Sequence, residues 1–102
     1  MSLARWDALP LEKITEMIAR KTVVGAGLSV SQVYLKKGAL VPRHAHDGAQ
    51  MIYVLQGALR ADVDGRDVTV REGDVLHVAA GLAHQGEALD DTFVLDIRRE
   101  NP

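Results

Sequence analysis

At 102 residues, the chain is long enough for one hydrophobic core and too short for two, so we expect a single domain spanning residues 1–102. A composition that is 47% hydrophobic and 25% charged is that of a folded protein and excludes a disordered one. The net charge of -2, from 12 basic and 14 acidic residues without a basic patch, argues against a nucleic-acid partner.

Short β-branched or alternating segments, separated by glycine-containing turns, predict an antiparallel sandwich or barrel. Residues 11–18 have apolar side chains at helical spacing, although residues 17–24 are equally consistent with an edge strand. A loop is predicted at residues 38–42, and the Asp64-Gly65 pair predicts a hairpin turn because both central positions need a positive φ. Strands are expected, in chain order, at residues 28–35, 51–55, 58–63, 68–70, 75–78 and 92–97.

The candidate ligands for a metal are histidines and an amide. The sequence has no cysteine, which excludes disulfides, a thiolate nucleophile and Cys-ligated metal sites. His44 and His46 are two residues apart, which in an extended chain places both imidazoles on one face. Gln50 lies at the start of the next strand, where it would share the inward face of a barrel with Ile52 and Val54. We therefore expect any metal site to form where His44, His46 and Gln50 come together.

Two segments together resemble the conserved motifs of the cupin superfamily. The first, G-x5-H-x-H-x3or4-E-x6-G, is similar to the stretch from Gly38 to Gly57, with Gln50 where the family most often has Glu. The second, G-x5-P-x-G-x2-H-x3-N, is similar to the stretch from Gly73 to Ala88, with Ala79 and Ala88 in place of Pro and Asn. The matching positions are Gly38, His44, His46, Gly57, Gly73, Gly81 and His84.

This resemblance implies an all-β fold, the cupin double-stranded β-helix or jelly-roll barrel, that holds one divalent transition metal, which would be Zn, Ni, Mn, Fe or Cu. The ligands that it implies are His44, His46, Gln50 and His84. An amide oxygen does not neutralise the ion, so such a site would be a stronger Lewis acid than one with a carboxylate. The alternative is that these histidines are only partly buried side chains with satisfied hydrogen bonds. His77 falls on none of the defined positions of either motif and is interpreted as structural.

The last predicted strand carries a lone acid among apolar residues. Val94, Asp96 and Arg98 share one face of it. If that face points into the barrel, Asp96 is a candidate catalytic group for proton transfer, and Arg98 a candidate catalytic residue that meets an anionic substrate. If it points to solvent, the two are surface charges. Alternation along the strand does not decide between these interpretations.

Within the cupins, the chain resembles the small pectin-degradation type, which converts ring-form unsaturated uronates into open-chain ketonised products. Both combine H-x-H, a Gln ligand, a later His and a Val-Leu-Asp segment, but this chain departs after Asp96, where that type has an aromatic residue and then Pro and Arg. Three functions stay open: a metal-dependent isomerase or tautomerase on a small sugar-acid-like molecule, a dioxygenase with a redox-active metal, and a non-enzymatic small-molecule sensor.

The partners expected from the sequence are a small anionic molecule and a second copy of the chain. Apolar residues on both faces of residues 51–55 and 93–97 predict a homodimer, because a two-sided apolar strand has to be covered on both sides. The apolar runs are far shorter than the roughly 20 residues of a membrane helix, and the N-terminus lacks the pattern of a secretory signal. We therefore expect a cytoplasmic protein that does not engage a membrane.

Overall fold

The structure is a computed structural model that describes residues 1–100; Asn101 and Pro102, the last residues of the predicted domain, lie outside the described residues. Within residues 1–100, a 3-10 turn at Trp6–Ala8 precedes ten strands. No helix in this part of the chain is long and apolar enough to cross a membrane. The strands are β1 Glu12–Lys13, β2 Ile18–Gly25, β3 Leu28–Leu35, β4 Leu40–His44, β5 Gln50–Gln56, β6 Ala58–Val63, β7 Arg66–Arg71, β8 Val75–Val78, β9 His84–Ala88 and β10 Thr92–Arg99.

The strands form two antiparallel sheets that pack around one core. Six strands lie in the order β1-β2-β3-β10-β5-β8, and four in the order β4-β9-β6-β7. Val54, in the middle of β5, is fully buried between the sheets. The predicted all-β jelly-roll barrel is confirmed. The rest of the core cluster consists of Leu35, Ala39, Leu59, Val70, Ala88 and Val94.

The helix predicted at residues 11–18 is wrong, and the alternative strand forms as β2, although β2 lies second in its sheet and the edge is the short β1. The backbone N–H groups of Ile14 and Thr15 both donate to the carbonyl of Ile18, at 2.9 and 3.1 Å, and so reverse the chain. Glu12 in β1 then lies opposite Arg20 in β2. A helix of eight residues is marginal in water, whereas here Glu12 and Lys13 pair with β2 and Ile18 begins the pairing of β2 with β3.

The loop predicted at residues 38–42 is wrong in its second half, because β4 begins at Leu40 and includes Pro42. Pro42 is tolerated there since β4 is an edge strand and shows an irregularity between Val41 and His44. Strand β9, at residues 84–88, was not predicted, because its sequence His-Gln-Gly-Glu-Ala has no apolar alternation. These two strands matter for function, since β4 and β9 pair with His44 opposite His84.

The hairpin turn at Asp64-Gly65 is confirmed. Both residues have positive φ, 51° for Asp64 and 82° for Gly65, as the tight turn requires. The turn joins β6 to β7, with Val63 opposite Arg66. The other predicted strands form at the expected places, some of them extending by one or two residues beyond the predicted ends.

We propose that the outer face of the six-stranded sheet is the interface of a homodimer. Tyr34 and Phe93 stack there, with ring centroids 4.7 Å apart, and Met51 is 48% exposed on β5. Light scattering is expected to give twice the 11.1 kDa chain mass. Met51→Glu should make the protein monomeric, because the substitution would bury a charge in the interface. Leu89→Glu, on the turn after β9, should leave the protein dimeric. A wild-type particle of single-chain mass at micromolar concentration would contradict this proposal.

Candidate metal centre

Three histidines meet at one end of the barrel. His44 is the last residue of β4, His46 follows in the connection to β5, and His84 is the first residue of β9. Their ligand nitrogens all lie within 4.8 Å of one another, and the rings of His44 and His84 are the closest pair, with centroids 4.3 Å apart. The β4–β9 pairing explains this proximity, since it sets the two strand ends side by side.

The hydrogen bonds of two rings fix which nitrogen faces the cluster. His44 Nδ1 donates to the carbonyl of Pro42 at 2.7 Å, and His84 Nδ1 donates to that of Leu82 at 2.9 Å. Because a carbonyl only accepts, each neutral ring carries its proton on Nδ1 and a lone pair on Nε2. His44 Nε2 lies 3.0 Å from His46 Nε2. Metal-binding histidines are held in this way, by donation of the other ring N–H to the backbone.

Two buried polar atoms at this end of the barrel have no hydrogen-bond partner within residues 1–100. They are Nε2 of His84 and Oε1 of Gln50, in side chains that belong to residues only 6% and 4% exposed. Buried polar atoms are nearly always paired, so each such atom needs an explanation. Both atoms are acceptors with an available lone pair, which a bound cation would satisfy. The residues present therefore fit a metal with nitrogen and oxygen ligands.

The acid in β10 faces the barrel interior, and the interpretation of it as a surface charge is wrong. Asp96 is 8% exposed and lies between Ser31 of β3 and Ile52 of β5 in the sheet. One carboxylate oxygen accepts from Gln50 Nε2 at 2.8 Å. The other accepts from Nε and Nη2 of Arg98, at 3.2 and 3.0 Å. Both Arg98 nitrogens thus converge on one carboxylate oxygen, in a charge-assisted contact.

Of the candidate site residues, all except His46 line one cavity of about 230 Å³ between the two sheets. Its polar end holds His44, Gln50, His84, Asp96 and Arg98. His77 is exposed on β8 and lies outside the cluster. The apolar walls include Val41, Ile52, Leu59, Leu76, Val78 and Val94.

Sequence reasoning missed one charged residue of this cavity. Arg20, on β2, lines it as well and pairs with the exposed Glu12 at 3.2 Å. The signal was the alternation within β2, since Arg20 shares its face with Ile18 and lies opposite Val33 of β3. This alternation was not used, because the strand at residues 17–24 was only an alternative to a helix at residues 11–18.

The charges around His46 favour its neutral, ligand-competent form. Burial lowers the pKa of the His46 imidazole below its ordinary value of 6.5, and the positive charge of Arg98 lowers it further. The rings of His44 and His84 act in the same direction, and the carboxylate of Asp96 opposes them. His46 is therefore neutral at pH 7, as an imidazole must be to bind a metal.

A lowered pKa in the folded state makes the metal-free protein less stable in acid. The unfolded chain takes up a proton on His46 as the pH falls through about 6.5, while the folded chain resists it, so the free energy of unfolding decreases below that pH. We expect the Tm of the metal-free protein to fall between about pH 7 and 5, and His46→Gln to reduce that slope. His77→Gln, at an exposed site, should keep the wild-type slope. Equal slopes in wild type and His46→Gln would contradict this prediction.

Comparison with known proteins agrees with this architecture. A family model described as "Cupin domain" matches residues 31–97. No curated protein matches the sequence. Among solved structures, an RmlC-like cupin from Shewanella frigidimarina is similar at a TM-score of 0.90 and 22% identity, covering 99% of this chain and 92% of that one.

Two further solved structures are similar over nearly the whole chain. KdgF from Halomonas sp. has a TM-score of 0.89 and 25% identity, covering 99% of this chain and 96% of that one. A predicted oxalate decarboxylase from Thermotoga maritima has a TM-score of 0.85 and 20% identity, covering 98% and 100%. Similarity at 20 to 22% identity shows the fold alone.

Proposed function

Because the chain belongs to the Cupin domain family, we propose that it holds one divalent transition metal and acts as an isomerase or tautomerase on a small sugar acid. The observation that carries this proposal is the pair of buried, unpartnered acceptors, His84 Nε2 and Gln50 Oε1, beside a buried carboxylate in the same cavity of the described chain. The proposed ligands are His44, His46, Gln50 and His84. A bound ion would supply Lewis acidity toward a carbonyl or hydroxyl oxygen.

Gln50 makes the proposed site different from one with a carboxylate at this position. Three neutral imidazoles and an amide leave the full charge of a divalent ion in place. The acidic group of the cavity is instead Asp96, which contacts Gln50 through its NH₂ group. The bound ion would supply the Lewis acidity, and Asp96, which is not one of its proposed ligands, would supply the proton acceptor. Proton transfer next to an activated carbonyl needs both groups.

Asp96 is the proposed proton-transfer group. Its Oδ2 accepts from Arg98 Nη2 at 3.0 Å, and it lies in the same cavity as the proposed ligands His44, Gln50 and His84. Asp96 could therefore exchange a proton with a carbon of a substrate bound in the same cavity of about 230 Å³.

Arg98 is the proposed contact for a substrate carboxylate. It uses Nε and Nη2 for Asp96, and its Nη1 makes no hydrogen bond within the described part of the chain, so Nη1 is left to bind an anion. The cavity, at about 230 Å³, is below the roughly 300–1,000 Å³ of sites for drug-sized molecules. It therefore suits a single small ring. The uronate class is favoured by the resemblance to the pectin-degradation type and by the similarity to KdgF at 25% identity.

The function is tested with freshly generated unsaturated galacturonate or guluronate, followed by proton NMR. Metal-free protein is loaded in turn with zinc, nickel and manganese, and ring opening is compared with buffer that contains the same metal. We expect wild type to accelerate ring opening with at least one metal, and His44→Ala to be close to buffer. If wild type is no faster than buffer with every metal, the uronate assignment is wrong.

A further inference from the structure

We infer that Asp96 is a positioning residue for Gln50: it turns the amide oxygen toward the three histidines, and its presence is the reason that position 50 is Gln and not Glu. This inference rests on the metal site of the proposed function. It concerns how the ligand set is held and is independent of the substrate. The carrying contact is the 2.8 Å hydrogen bond from Gln50 Nε2 to Asp96 Oδ1, between buried side chains.

The orientation of the Gln50 amide follows from what its neighbours can do. The two edges of an amide are nearly the same shape, so its hydrogen-bond partners decide which edge faces which way. Both Asp96 oxygens accept hydrogen bonds, Oδ2 from Arg98 and Oδ1 from Gln50. A carboxylate oxygen accepts and does not donate, so the edge of the Gln50 amide that faces it is NH₂. The carbonyl oxygen then lies on the other side, buried and without a partner in residues 1–100.

A reversed amide would remove the ligand. The NH₂ group has no available lone pair, so a Gln50 side chain turned by half a rotation would offer the histidine cluster nothing to bind a metal. It would also place its carbonyl oxygen against a carboxylate oxygen and leave buried donors unpaired, which is costly in an apolar cavity. The contact with Asp96 therefore selects the one orientation in which Gln50 can coordinate.

The same contact explains why a glutamate is unsuitable in place of Gln50. A glutamate side chain has the same length, so it would place a carboxylate oxygen where the NH₂ group now lies, 2.8 Å from Asp96 Oδ1. Two acceptors with like charge would face each other in a buried site, with no donor between them. A glutamate ligand would neutralise more of the ion's charge, yet it conflicts with its neighbour.

Exchanging the two side-chain types should restore the match. In the variant Gln50→Glu/Asp96→Asn, the introduced asparagine amide can donate to the introduced glutamate carboxylate and accept from Arg98 through its own carbonyl oxygen. The cavity keeps the same formal charge, and one glutamate oxygen stays free for the metal. In Asp96→Asn alone, the charged donors of Arg98 take the asparagine oxygen, so the asparagine NH₂ faces Gln50 and turns the Gln50 amide away from the histidines.

The test is the affinity of metal-free protein for Zn²⁺ and Ni²⁺, measured by competition with a chelator, in a double-mutant cycle. Changing the partner that orients a ligand typically costs about 10- to 100-fold in affinity, and we expect that loss in Gln50→Glu and in Asp96→Asn. The double variant should return to within about threefold of wild type, because its amide and carboxylate are again matched. Gln56→Glu, an exposed substitution on the same strand, is the control for added charge and should match wild type.

Three results would overturn this inference: tighter binding in Gln50→Glu alone, unchanged binding in Asp96→Asn, or a double variant whose loss equals the two single losses combined. If a single variant fails to fold, the double variant still decides, because it is expected to fold and bind. Wild type that binds neither ion would instead defeat the metal site itself, and with it the proposed function. If wild type binds metal but the substitutions at positions 50 and 96 act independently on affinity, only the role of Asp96 as a positioning residue is wrong.

Discussion

His84→Ala is expected to weaken metal binding by at least about 100-fold, the upper end of the loss caused by changing an orienting partner. His84 presents a buried Nε2 without a partner among the described residues, and its Nδ1 is tied to the carbonyl of Leu82. Removing the ring removes one of the three nitrogens that lie within 4.8 Å of one another. His44→Ala should have a similar effect. The measurement is the metal content after dialysis, together with the affinity from chelator competition.

His77→Ala is the matched control, because it removes the fourth histidine of the chain from an exposed position on β8. It should retain the wild-type metal content. Wild-type metal content in the His44 and His84 variants as well as in the His77 variant would defeat the assignment of the cluster. A loss shared by all three would point to general destabilisation and would be recognised from their melting curves.

The second large effect is expected on turnover. Asp96→Asn, assayed with enough metal to saturate its site, should lose about 10²- to 10⁴-fold in kcat, the usual contribution of a general acid or base. Saturation separates this loss from weaker metal binding. The variant Gln50→Glu/Asp96→Asn also lacks a carboxylate at position 96, so it should be slow even though it is expected to bind metal well. The measurement is the rate of uronate ring opening by proton NMR.

Either of two outcomes would remove Asp96 from the chemistry. A metal-saturated Asp96→Asn variant with a kcat within about threefold of wild type would mean that Asp96 acts only by holding Gln50. A double variant with the wild-type rate would mean the same. Gln56→Glu should keep the wild-type rate and so show that an added charge on β5 has no general effect on turnover.

Much of the fold could be predicted because most strands show apolar alternation and end at glycine turns. Leu28–Leu35 and Val75–Val78 form at the bounds that were expected. The segment at residues 11–18 misled because three apolar residues at helical spacing occur equally well in a bent chain with an edge strand. β9 was missed because it is largely polar, so its strand character comes from pairing with β4 and β6.

The candidate site was only partly accessible from the sequence. The two motifs located the histidines and Gln50, since their spacing is a property of the chain. The side on which Asp96 lies was undetermined, because alternation separates two faces of β10 without saying which one meets the core. That is set by the register of β10 with β5, which places Val94 opposite the fully buried Val54 and Asp96 opposite Ile52. The contact between Gln50 and Asp96, 46 residues apart, is likewise a product of the tertiary fold.

The central claim is that His44, His46, His84 and Gln50 hold one transition metal ion, and elemental analysis of protein purified without added metal tests it most directly. We expect close to one equivalent of a single divalent ion per chain in wild type, and zinc in that position would exclude the dioxygenase alternative because zinc has no redox chemistry. Wild-type protein that carries no transition metal, and takes up none from zinc, nickel or manganese solutions, would contradict the account.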